Sequence, residues 1–70
     1  MYQRMIREIL GKIGRAGIDP RHVEAYMRLE HPTLDGLSAP QFEHEVAISA
    51  ECVEAAGPVE AEACAESFGL

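Results

Sequence analysis

Prolines paired with capping residues cut this chain into helix-length pieces, and that punctuation constrains the fold more than any other feature. Asp19-Pro20 places a carboxylate cap before a proline suited to the first helical position. Ser38-Ala39-Pro40-Gln41 reads as a capping box, in which Ser38 and Gln41 satisfy each other's free backbone donors. Gly57-Pro58 is a glycine stop followed at once by a restart. Pro32 ends the second piece, because the residue before a proline is pushed out of the helical region. The sequence therefore predicts an all-α bundle: helices over 2–16, 20–30 and 39–56, and a short fourth over 58–67. Seventy residues allow one helical domain, 1–70.

Periodicity fills these pieces in. Tyr2, Met5, Ile6, Ile9, Leu10 and Ile13 recur at the spacing of one helical face. Arg4, Arg7, Glu8, Lys12 and Arg15 take the other face, with Glu8 one turn from Lys12. Val23, Tyr26, Met27 and the stem of Glu30 form the expected inner stripe of the second helix. Between 31 and 38, Asp35-Gly36 marks a turn, and Leu34 and Leu37 are apolar enough to plug the core. The third helix carries two apolar strips: Phe42, Val46, Ser49, Ala50 and Val53 on one, and Ile48, Cys52 and Ala55 beside it. A helix with two such strips usually touches two neighbours.

Size limits that core. A chain this short buries only about 60% of the surface its unfolded form exposes. Apolar residues make up 47% of it, but ten of them are alanines. Self-association would supply missing burial. The expected interface joins Ile48, Cys52 and Ala55 to the apolar tail residues Phe68 and Leu70.

Charge is segregated along the sequence. Residues 1–30 carry a net +2, and residues 31–70 carry eight acids and no Lys or Arg. An acidic half of that depth repels phosphate, which makes nucleic acid an unfavourable partner for the whole chain. Glu51, Glu54, Glu62 and Glu66 form an acidic face with like charges at i,i+3 and i,i+4, each pair costing about 0.2–0.5 kcal/mol. The opposite sign sits on Arg4, Arg7, Lys12 and Arg15, which can neutralise that face within the chain or in a dimer.

Catalytic and ligand-binding patterns do not assemble. Gly11-Lys12-Ile13-Gly14 has the spacing of loops that track nucleic-acid backbone, but such loops belong to modules with strands. His44-Glu45 begins a zinc-protease helix whose second imidazole would stand at position 48, where Ile is found. His22 and Glu24 diverge on a helix, and His31 sits where an imidazolium meets a helix C-terminus. No metal site and no cofactor is expected. Cys52 and Cys64 lack a basic neighbour to activate either thiol, and both are expected as small buried apolar residues.

Charges interrupt the first eight residues as a signal-peptide core would not allow, and no apolar run reaches the ~20 residues of a membrane span. A cytoplasmic protein with reduced thiols is expected. Five Arg to one Lys, with abundant alanine, fits a GC-rich bacterial or phage genome. These readings lead to a non-catalytic protein-interaction module, self-associating as a homodimer. An acidic inhibitor of a basic site on a larger protein or nucleoprotein is the alternative. A DNA-binding regulator reading through the basic first helix is the third.

Overall fold

Each start signal opens a helix in the computed structural model, which describes residues 2–70. The helices are α1 (Tyr2–Lys12), α2 (Pro20–Glu30), α3 (Ala39–Ala56) and α4 (Pro58–Ser67), and no strand occurs among the described residues. Asp19 caps α2 by accepting from the Arg21 N–H, and Ser38 and Gln41 form the reciprocal box that opens α3. Gly57, at φ 89°, closes α3 and leads directly into α4.

α1 ends earlier than residue 16. Gly14 turns left-handed at φ 77°, and Arg15 N–H donates to Leu10 C=O while Gly14 N–H donates to Gly11 C=O. This is a Schellman stop, which a glycine adopts without the Cβ penalty. The same motif winds up the chain's last residues. Gly69 has φ 76°, Leu70 N–H donates to Ala65 C=O and Gly69 N–H to Glu66 C=O.

α2 and α3 pack against each other and form the middle of the molecule. α1 and α4 each lie against both of them without touching each other, so one covers each side of the central pair. The radius of gyration is 10.8 Å, close to the ~11 Å expected for a compact chain of this length.

On the α1 side, Ile6, Ile9 and Leu10 meet Val23, Met27, Phe42, Val46, Ala50 and Val53 in one continuous core. Leu34 is buried as the loop's plug, and Leu37 packs half-buried against it. The expected faces of α1 and α3 are thus the packed ones, although Met5 and Ile13 stay exposed at the margins. α2 departs from expectation at Glu30, which is exposed, and at Glu24 and Ala25, which are buried. Glu24 is only 4% exposed. Arg28 makes that burial tolerable, donating to its carboxylate at 2.9 Å while lying over the Tyr2 ring. Tyr2 in turn stacks on Phe42.

Candidate functional site

The α4 side of the central pair is only partly covered. α3 has 18 residues and α4 has 10, roughly 27 Å against 15 Å of helix. Where α4 falls short, a groove of about 410 Å³ runs between α2 and α3. Tyr26, Leu29 and Glu30 line it from α2, His31 from the end of that helix, and Glu45, Ile48, Ser49 and Cys52 from α3. Leu29 is 59% exposed and Ile48 43%. His31 Nε2 lies 3.5 Å from Glu45 and gives the groove a polar edge.

The residues expected at an interface divide here. Ile48 and Cys52 line the groove, whereas Ala55, Phe68 and Leu70 do not. Ala55 and Phe68 are exposed elsewhere, and Leu70 is half-buried with its carbonyl accepting from Arg21. Cys52 is exposed, contrary to the burial expected of it, because it faces the open groove with Ile48 rather than a helix. Cys64 is half-buried on α4, and burial followed by the nearby Glu60 charge pushes its thiol pKa up. Neither cysteine is in a disulfide. Nothing in the local pattern of α2 adds Leu29 and Tyr26 to that surface. Their relevance arises only when α2 and α3 are set side by side and α4 proves too short.

Much of the charge segregation is resolved inside the chain. Lys12 lies 3.7 Å from Glu43, not paired with Glu8, and Arg15 pairs with Glu54. Arg21 grips Glu62 with two parallel bonds, Nη1 to Oε1 at 3.0 Å and Nη2 to Oε2 at 2.9 Å. His22 Nε2 adds a contact to Glu62 Oε1 at 2.8 Å. These bonds from Arg21 and then His22 hold the Glu62 carboxyl at a pKa of about 2, and Glu62 in return raises that of Arg21. Among the described residues, Glu51 and Glu66 make no ion pair, nor do Arg4 and Arg7. The acidic and basic faces are therefore each half-consumed in cis.

Three side chains of metal-ligating type come together at a place where their sequence spacing shows no relation. Asp19, His22 and Glu62 bring one ligand atom each to within 4.8 Å of one another. Pairing His22 with Glu24 was geometrically futile, since these diverge on the helix. His22 instead faces Asp19 one turn back and Glu62 on α4. The capping role of Asp19 was readable, but the approach of α4 was not.

Comparison with protein-family models, with curated proteins and with solved structures finds no match.

Proposed function

We propose that the chain is a non-catalytic protein-association module that pairs with a second copy of itself through the α2–α3 groove. The observation that supports this reading is the groove itself, a channel of mixed lining left open where α4 ends, with the exposed apolar side chains Leu29 and Ile48 on its walls. α4 already demonstrates that this side of the central pair accepts a helix. A two-fold dimer requires a projection and a recess on one surface, so that each copy fills the other. Leu29 and the channel between Tyr26, Ile48 and Cys52 meet that requirement. The missing burial of so small a core is supplied by the same contact. A cytoplasmic setting suits the two free thiols.

Light scattering over a range of concentrations tests the pairing. The expected mass rises toward twice that of the chain and holds at high salt, because the contact is apolar. Leu29→Glu places a charge in the contact and returns the mass to that of one chain without loss of helicity. A wild-type mass that stays monomeric at every concentration overturns the proposal.

A basic protein surface as partner has one observation in its favour: among the described residues, Glu51 and Glu66 make no ion pair. In that reading, reversing both to Lys abolishes capture of the partner and leaves the mass of the isolated chain unchanged.

A further inference from the structure

We infer that His31 gates the α2–α3 groove by its protonation, so that a second copy of the chain docks more tightly as pH falls through the imidazole range. This inference rests on the pairing proposed above and adds its regulation. Among the described residues, four carboxylates are buried or half-buried: Asp19, Glu24, Glu45 and Glu62. Three of them hold an arginine, with Arg28 at 2.9 Å from Glu24 and Arg21 at 3.4 Å from Asp19 and 2.9 Å from Glu62. A guanidinium keeps its charge throughout the accessible pH range. Glu45 is the exception. Among the described residues its one ion-pair partner is His31, whose Nε2 lies 3.5 Å from Oε1.

The groove supplies no other countercharge. No Lys or Arg lines it, and α1 and α4 add nothing to its walls. Glu30 from α2 and Glu45 from α3 bring the negative charge, while Tyr26 and Cys52 are titratable groups that never become positive. The side chains of Glu45 and His31 keep 20% and 35% of their surface in water. That water stabilises the Glu45 carboxylate while the chain is single. A second copy seated in the groove takes it away, and a two-fold contact does so at both grooves at once. A carboxylate withdrawn from water beside a neutral ring is an uncompensated charge, whereas beside an imidazolium it is half of an ion pair.

Docking therefore favours the protonated ring, and the paired state takes up as many as two protons, one per copy. A group more protonated in the dimer adds affinity that is fully present below its pKa in the single chain. That affinity is lost as pH rises through its pKa in the dimer. Imidazole ordinarily titrates near about pH 6.5, which sets the window between roughly pH 8 and 5. Glu30 acts in the same direction, since each added proton also offsets its charge at the contact. The contact of Leu29 and Ile48 does not titrate, so the gate modulates the pairing without creating it.

Sedimentation equilibrium of the full chain, from about pH 7.5 to about pH 5.5, tests the gate. The dimer dissociation constant falls at least about tenfold over that range, within the limit of about a hundredfold per pH unit that two protons set. His31→Gln, whose amide can donate to Glu45 and does not titrate, gives a flat profile. Glu45→Gln removes the charge that needs the proton and pairs tightly already at about pH 7.5. His44→Gln, altering an exposed imidazole on α3, keeps the wild-type profile. Dimers of one affinity across the range overturn the gate and leave the pairing standing. So does a pH dependence that survives in His31→Gln, which then belongs to His22 or His44. A chain that stays single at every pH and concentration overturns the pairing and the gate with it.

Discussion

α1 and α4 cover opposite sides of the same two helices, yet they are held by different physics. α1 inserts Ile6, Ile9 and Leu10 into a core shared with Met27, Phe42 and Val46. α4 adds only the small Ala61 to that core and buries Ala65 besides, and Glu62 ties it to Arg21 and His22. Apolar burial is indifferent to pH and salt, whereas ion pairs at a half-exposed surface are sensitive to both. One side of the molecule is therefore a foundation and the other an adjustable cover, next to which the groove stays open.

Truncating the α1 side has the largest expected effect. Leu10→Ala should cost about 2–5 kcal/mol, much of what a domain of this size possesses at roughly 0.05–0.15 kcal/mol per residue. Urea denaturation should show this as a lower midpoint with the whole chain unfolding together. Arg21→Met acts on the other side and should act locally. Amide exchange at α4 speeds up as its contacts with the Arg21 side chain are lost, while the protected amides of α1, α2 and α3 keep their rates. Equal loss across all four helices would show that the two sides form one cooperative unit and would remove the contrast.

The same contrast explains what could be read from the sequence. Helix boundaries set by caps and prolines were legible because Asp19, Ser38 and Gly57 act on their immediate neighbours. The apolar stripes of α1 and α3 were legible because periodicity is also local. Gly14 was visible as a weak point, but the length of α1 depended on the left-handed turn actually formed there. Glu24 illustrates a harder case. Its partner Arg28 stands at i,i+4 within α2, but the Tyr2 ring of α1 under that guanidinium is a long-range arrangement that no spacing within α2 reveals. The Asp19–His22–Glu62 cluster and the Leu29–Ile48 groove both require the placement of α4, whose alanine-rich pattern carries little directional information.

Acid separates the two sides further. The Glu62 pKa is depressed from an ordinary 4.5 to about 2 by Arg21 and His22. A carboxylate lowered in the folded state stabilises it fully above its unfolded pKa, and that contribution is lost as pH falls through the folded value. Attachment of α4 should thus be constant above about pH 4.5 and weaken between there and about pH 2. NMR signals of Ala61 and Ala65 should move in that window before those of Ile6 and Leu10. In Glu62→Gln the early movement should vanish, since the titrating group is gone.

The smallest effect expected is chemical and distinguishes the open part of the α4 side from the covered part. Cys52 lies in the groove beyond the reach of α4, and Cys64 rides on α4 itself, half-buried beside Glu60. Alkylation proceeds through the thiolate, so a raised pKa and restricted access both slow it. Iodoacetamide under mildly alkaline conditions should therefore label Cys52 several-fold faster than Cys64, with peptide mapping by mass spectrometry as the readout. Adding Arg21→Met should narrow that ratio by accelerating Cys64 alone, because α4 then lifts more often. If Cys64 already reacts as fast as Cys52 in the wild type, α4 opens faster than the reagent attacks, and the ionic cluster does not hold the cover in place. If Cys52 is instead protected as protein concentration rises, the groove is being filled, and a second copy is the group filling it.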